Sequence, residues 1–159
     1  MSLTTSIMIT TRNRVEDLRR TCEVLLRLAP APLEILSTAD GCTDGTVEFV
    51  RSALPGARLT VNEVGCGSVA ARDRMMREAR RDLVFALDDD SYPEQPDCLA
   101  RVASVFEKRP RLAVAIFRSG RMSTRNPFRK PIWRRPVDAF VCQFGGGLEA
   151  VGVPAVARC

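Results

Sequence analysis

The chain has 159 residues, the usual size of a single domain, and its formal net charge of +5 suits an anionic partner such as phosphate, nucleic acid or acidic lipid. It contains no histidine, so any acid–base or metal chemistry must use carboxylates. Because there is no C-x-x-C pair, no signal peptide and no apolar run near the ~20 residues of a membrane helix, we expect a cytoplasmic protein with reduced thiols, which could also lie at the inner face of a membrane.

Short apolar runs alternate with helical patterns along the chain. The predicted strands are Ile7–Thr10, Leu33–Thr38, Arg58–Val61, Leu83–Leu87, Leu112–Phe117 and Phe140–Phe144. The predicted helices run from Val15 to about Leu28, from a cap at Thr43 or Asp44 to Pro55, over Val69–Arg81, and around Leu99–Phe106. This alternation predicts one α/β domain over residues 1–159, with a mostly parallel sheet and helices on both faces.

One segment breaks the alternation. Arg118–Pro136 has seven basic residues, no acidic ones and three prolines, which predicts a long exposed loop. The loop could contact a substrate or a membrane surface, or have no partner. A nucleic-acid-binding protein is the weaker interpretation, because few aromatics are available for base stacking and Asp88–Asp90 would stay unexplained.

Polar residues follow three of the predicted strands. They are Thr11–Arg14, Asp40–Gly45 and Asp88–Asp90. Ligands of open α/β sheets bind beyond the carboxyl ends of the strands, so we expect these loops to converge on one crevice.

The triple aspartate is the sharpest signal. In an extended segment Asp88 and Asp90 point the same way and Asp89 the other way. Two nearby carboxylates repel each other unless a cation lies between them, and Mg²⁺ and Mn²⁺ prefer oxygen ligands. The alternative is a turn or helix cap, where aspartate is also common. Its place directly after a buried strand favours the metal site.

The segment around the third predicted helix offers weaker signals. Gly65–Gly67 resembles a phosphate-binding turn, although a lone G-x-G is weak, and no P-loop motif is present. Arg72 and Arg74 could meet a diphosphate or could belong to a solvated basic face. Asp40 precedes a glycine and could contact a base or sugar, or form an ordinary turn.

Taken together, four motifs in chain order resemble those of glycosyltransferase family 2, which has the GT-A fold. They are Thr11–Arg14 for T-x-N-R, Asp40–Thr46 for D-G-S-x-D-G-T, Gly67–Asp73 for G-x-x-x-A-R-N and Leu87–Pro93 for L-D-x-D-x-x-P. The resemblance implies a Rossmann-like domain that transfers a sugar, with inversion and a divalent metal, from a nucleoside-diphosphate sugar. The acceptor, whether saccharide, lipid or protein, is not identified, and no nucleic-acid partner is expected.

The resemblance also assigns roles to single residues. It implies that Thr11 and Asn13 line the nucleotide site and that Asp40 contacts the base. It further implies that Arg72 holds the nucleotide part of the donor.

For the metal, the resemblance implies that Asp88 approaches the ribose or the ion and that Asp90 ligates the ion directly. The sequence departs from the family pattern at three positions. Ala39 stands where many relatives have an aspartate, Arg12 replaces a frequent aromatic, and Asp73 replaces an asparagine.

The C-terminal part resembles the family least. Relatives continue beyond the glycine triplet near residue 145 and place the acceptor site and the catalytic base there, whereas this chain ends at Cys159. We therefore expect a domain that is incomplete at its C-terminus, as a fragment, a truncated product or a frameshifted tail. By position, Asp138 and Glu149 are the only candidates for the base. The alternative function is a non-catalytic, nucleotide-binding remnant.

Overall fold

The computed structural model describes residues 3–112, 114–117, 139–143 and 155–157. Its strands are β1 Thr5–Thr11, β2 Glu34–Asp40, β3 Arg58–Asn62, β4 Leu83–Asp88, β5 Val114–Phe117, β6 Ala139–Gln143 and β7 Ala155–Ala157. Its helices are α1 Val15–Leu25, α2 Thr46–Ala53, α3 Ser68–Glu78 and α4 Cys98–Glu107. Over these residues, no helix combines the length and the apolar character that crossing a membrane requires.

The strands form one sheet in the order β3-β2-β1-β4-β6-β5-β7. Strands β3, β2, β1 and β4 are parallel neighbours, which confirms the mostly parallel sheet. Strand β6 runs antiparallel to both β4 and β5, and β7 pairs in parallel with β5. The sequence analysis did not predict the reversal at β6, nor strand β7.

Helices cover both faces of the parallel strands, as predicted. On one face α1, α2 and α4 bury the odd-numbered residues of β1 and β4. The buried residues there include Ile7, Ile9, Leu18, Val50, Phe85 and Val102. On the other face α3 packs through Met75 on Met8, Leu36, Val84 and Ala86. Strands buried on both faces explain why Leu83–Leu87 is apolar without alternation.

Two predicted helix ends are too late. Helix α1 ends at Leu25 and α3 at Glu78, where Ala79 already has extended φ and ψ angles of −61° and 138°. The Glu34 carboxylate accepts the Arg80 N–H at 2.9 Å, and this contact draws the chain away from the helical path. The end of α3 is therefore set by a residue of β2 that is distant in sequence.

The predicted cap of α2 also needs a correction. The cap position belongs to Gly45, with φ of 81°, and not to Thr43 or Asp44. Asp44 nevertheless binds the first turn, because its carboxylate accepts the Thr46 N–H at 3.2 Å. Its second oxygen accepts the Val15 N–H of α1 at 3.1 Å, so one carboxylate joins the starts of two helices.

Candidate functional site

The three predicted loops meet at the carboxyl edge of the parallel strands. Thr10 of β1 lies between Thr38 of β2 and Asp88 of β4 in the strand register, so the loops after these strands begin side by side. A fourth segment, residues 65–67 between β3 and α3, joins them. The convergence expected from the sequence is confirmed, and the contacts between these loops form the site described below.

Asp40 is the buried anchor of the 65–67 segment. Its Oδ1 accepts hydrogen bonds from the Asn62 side chain at 2.7 Å and from the Cys66 N–H at 2.9 Å. Its Oδ2 accepts the Gly67 N–H at 2.8 Å, directly before α3. Hydrogen bonds from Asn62 and then from these N–H groups hold the pKa of Asp40 well below its usual range. The predicted contact between Asp40 and a base stays a prediction.

The two glycines beside this anchor are required by the geometry. Gly41 has φ of +69°, and a Cβ atom there would lie 2.8 Å from the backbone nitrogen of Gly65. Gly67 has φ of 87° and ψ of 153° at the start of α3, a backbone conformation that residues other than glycine rarely adopt. Small residues at these points let the chain after β2 contact the chain after β3.

The loop after β1 ties the other two loops together. Asn13 has a positive φ of 52°, and its Oδ1 accepts the Thr43 N–H at 2.7 Å. Thr11 is only 3% exposed, and its hydroxyl donates to Asp89 Oδ2 at 3.0 Å. Both side chains thus hold the loops at this edge of the sheet together. Their direct contact with a nucleotide stays a prediction.

The three aspartates have different environments. Asp88 and Asp90 have side chains that are 45% and 47% exposed, whereas the Asp89 side chain is 7% exposed. The alternation predicted for an extended segment holds from Asp88 to Asp89. It stops there because β4 ends at Asp88, whose carbonyl accepts the Ser91 N–H at 3.2 Å in a turn.

Asp89 is held by groups from β1 and α1. Its carboxylate accepts from Thr11 and from Arg14 Nη1, the latter at 3.0 Å, and its backbone carbonyl accepts the Thr21 hydroxyl at 2.7 Å. Burial is the largest influence on its titration and raises the pKa of Asp89, against the opposing effects of Thr11 and Arg14. Asp89 therefore fastens the end of β4 to α1.

Arg14 and Thr21 are two site residues that the sequence analysis missed. Arg14 Nη2 donates to Asp90 Oδ2 at 2.9 Å, so one guanidinium joins two neighbouring aspartates. Arg14 was visible in the T-R-N-R turn, and its position between strand β1 and a helix was the available signal. Thr21 lies inside an amphipathic helix and gives no signal of its own.

Arg72 extends from α3 to the exposed aspartate of β4. Its Nη2 donates to Asp88 Oδ1, so α3 contributes a cation to the same edge of the sheet. Its Nε is buried and has no hydrogen-bond partner among the described residues. The resemblance implied that Arg72 and Asp88 both hold the donor, and the structure places the two side chains in contact.

The carboxylates present fit a divalent cation that shares its coordination with a substrate. Asp88 and Asp90 offer exposed, hard oxygen ligands at one edge. Across the described ranges no cluster of three or more cysteine, aspartate or glutamate side chains has the arrangement of a metal site. Mg²⁺ commonly uses one or two carboxylates together with water and substrate phosphates, so two protein ligands are sufficient.

Some predicted residues lie outside the described ranges. Asp138 and Glu149, the candidates for the base, are among them, as is the whole of the basic segment Arg118–Pro136. Their roles stay predictions.

Comparison with protein families gives a match over most of the chain. The model of the family described as Glycosyl transferase family 2 matches residues 6–152. Comparison with curated proteins finds no match.

Solved structures share the fold. The mannosyltransferase PcManGT from Pyrobaculum calidifontis, in complex with GDP-Man and Mn²⁺, is similar with a TM-score of 0.72 and 16% identity, over 90% of this chain and 45% of that one. TarS residues 1–349 of S. aureus in complex with UDP has a TM-score of 0.68 and 17% identity, over 87% of this chain and 46% of that one. The same protein in complex with UDP-GlcNAc has a TM-score of 0.62 and 17% identity, with coverages of 87% and 45%. The chain thus spans less than half the length of each.

Proposed function

Because the chain belongs to glycosyl transferase family 2, we propose that it binds a nucleoside-diphosphate sugar and takes part in inverting transfer of the sugar to an acceptor. The observation that carries the proposal is the pair of exposed carboxylates, Asp88 and Asp90, beside Arg72 at the carboxyl edge of the sheet. Anionic and cationic groups at one edge suit a ligand that brings both phosphates and a metal ion.

Different described residues would hold the metal ion, the diphosphate and the base of such a donor. Asp88 and Asp90 would hold Mg²⁺ or Mn²⁺, which would act as a Lewis acid toward the leaving diphosphate. Arg72 would donate hydrogen bonds to diphosphate oxygens, and its Nε, which has no partner among the described residues, becomes a further donor if the side chain turns toward the ligand. Asp40 fixes the segment beside which the base would lie.

The acceptor half of the reaction rests on residues outside the described ranges. Inversion requires a base that deprotonates the acceptor hydroxyl while the hydroxyl attacks the anomeric carbon from the side opposite the diphosphate. Asp138 and Glu149 are the candidates by position. The proposal also includes an acceptor that is a saccharide, a lipid or a protein. It further includes a cytoplasmic location and a peripheral contact of the basic segment Arg118–Pro136 with a membrane.

The alternative is a remnant with the same fold that binds a donor without turnover. One experiment distinguishes the two functions. Sugar transfer and nucleotide release are measured together with GDP-mannose and UDP-GlcNAc as donors, over a panel of acceptors, for the wild-type chain, Asp90→Asn and Glu23→Gln. Donor binding to each protein is measured in parallel by calorimetric titration. Glu23 is exposed on α1 and serves as a control for the loss of one negative charge.

Multiple turnovers that disappear in Asp90→Asn and persist in Glu23→Gln support the enzyme. Donor binding without transfer supports the remnant. Absence of donor binding in the wild-type chain would contradict both.

A further inference from the structure

Two arginines reach the exposed aspartates, and they are held very differently. Arg14 contacts three carboxylates, with distances of 3.1 Å to Asp17, 3.0 Å to Asp89 and 2.9 Å to Asp90. Arg72 contacts one carboxylate, that of Asp88, among the described residues. Arg14 would therefore keep two partners after losing Asp90, whereas Arg72 would keep none after losing Asp88.

The surroundings of Arg72 leave it ready to change partners. Its side chain is 27% exposed, so it is mostly enclosed and still partly accessible to solvent. Its buried Nε has no acceptor in the described part of the chain, and an unsatisfied buried donor costs free energy. An anion in the crevice that accepts from Nε would remove this cost, and Asp88 in its present contact accepts only from Nη2.

We propose that Arg72 takes the place of the divalent cation at Asp88 in the ligand-free chain, where it neutralises this carboxylate. When a divalent cation binds Asp88, Arg72 leaves Asp88 and pairs with the diphosphate. The inference rests on the proposed function, because it takes Asp88 to be a metal ligand and the diphosphate to be the incoming anion. It adds a reason for the metal and the nucleotide to bind together.

The charges explain the coupling. A divalent cation that binds Asp88 alone must displace a guanidinium and leave it unpaired, so metal binding without nucleotide is weak. A nucleoside diphosphate that arrives with the metal gives the released guanidinium a new anion. The metal releases the guanidinium of Arg72 for the diphosphate, and the diphosphate pairs with the guanidinium that the metal displaces. Each ligand thus strengthens binding of the other, which is positive coupling between two binding events.

The test measures Mn²⁺ binding without any nucleotide, by the electron paramagnetic resonance signal of free Mn²⁺. It compares the wild-type chain with Arg72→Met, Arg72→Lys and the control Arg77→Met. Arg77 is exposed on the same helix and pairs with Asp73, so its loss removes an equal charge without touching Asp88. A thermal melt of each variant checks that it is folded.

We expect Arg72→Met to bind Mn²⁺ about three- to tenfold more tightly than the wild-type chain, because a competing cation is gone from a partly exposed carboxylate. Arg72→Lys, which keeps the charge, should fall between them, and Arg77→Met should stay within about twofold of wild type. With saturating Mn²⁺, UDP or GDP should bind Arg72→Met about ten- to hundredfold more weakly, since charged hydrogen bonds to phosphate are lost.

Opposite changes in the two affinities are the signature of the exchange. Mn²⁺ affinity of Arg72→Met that equals or falls below that of wild type, including no measurable binding to either, would overturn the inference. A wild-type chain that binds neither UDP nor GDP at any Mn²⁺ concentration would instead contradict the proposed function, and the Mn²⁺ comparison would still decide whether Arg72 competes at Asp88.

Discussion

Arg14 joins Asp89 and Asp90, with Nη1 3.0 Å from Asp89 Oδ1 and Nη2 2.9 Å from Asp90 Oδ2. The buried member of this pair also accepts from Thr11, whereas the exposed member faces the crevice. We therefore expect the two neighbouring aspartates to have different roles, Asp89 in stability and Asp90 in the proposed ligand binding.

We predict that Asp89→Asn lowers the free energy of unfolding by about 1–3 kcal/mol, because the amide can accept from only one of Thr11 and Arg14 and turns its own donor toward the other inside a buried site. Asp90→Asn should lower it by less than about 1 kcal/mol, since its ion pair with Arg14 is half-exposed. Urea unfolding followed by circular dichroism measures both. Equal losses in the two variants would show that Asp89 is not the structural member.

Ligand binding should show the reverse order. We predict that Asp90→Asn reduces metal-dependent binding of UDP or GDP at least about tenfold, because a metal ligand loses its charge. Folded Asp89→Asn should lose less. Strand alternation, which holds only from Asp88 to Asp89, is not the reason. The reason is that Asp89 is buried and its carboxylate already accepts hydrogen bonds from Thr11 and Arg14. Calorimetric titration at a temperature where both variants are folded provides the comparison.

The loop anchored by Asp40 should depend on pH with a defined sign. Hydrogen bonds lower the pKa of Asp40 in the folded chain below that of the unfolded chain, which is about 3.9. As pH falls, the unfolded state binds the proton first, so the stability contributed by Asp40 is full above pH ~5 and declines below it.

We therefore predict that Asp40→Asn costs about 1–3 kcal/mol at pH 7, where its amide cannot replace a carboxylate facing two N–H donors, and less at pH 3.5. The measurement is the difference in free energy of unfolding between wild type and variant at the two pH values. A difference that stays constant or widens toward pH 3.5 would contradict a lowered pKa.

Three glycine substitutions distinguish backbone strain at a positive φ from a steric clash of the added Cβ atom. Gly41→Ala combines φ of +69° with a Cβ atom 2.8 Å from Gly65 N, Gly45→Ala has φ of +81° with open space, and Gly56→Ala has open space without a positive φ. We predict losses of stability in that order, with about 1 kcal/mol for Gly45→Ala, more for Gly41→Ala and none for Gly56→Ala. Thermal melts give the ranking, and equal losses at Gly41 and Gly45 would exclude the clash.

The sequence predicts the parallel strands and the converging loops because both depend on local patterns: apolar runs, helical periodicity and polar residues at strand ends. It does not predict that Glu34 ends α3 near Arg80, that Asp40 binds the start of α3, or that β6 runs antiparallel to β4. These features come from pairing between distant segments, which one sequence does not encode as a local pattern. The same limit hid Arg14, whose partners Asp89 and Asp90 become its neighbours only after folding.

We propose above all that this edge of the sheet binds a nucleoside diphosphate together with a divalent cation. Isothermal titration of the 159-residue chain with UDP and with GDP, in Mn²⁺ and again in excess chelator, tests it most directly. We predict binding of at least one nucleotide in Mn²⁺ and a loss of about tenfold or more in affinity when the metal is removed, because Arg72 then stays paired with Asp88 and no cation links the carboxylates to the phosphates. Equal affinity with and without the metal would contradict it.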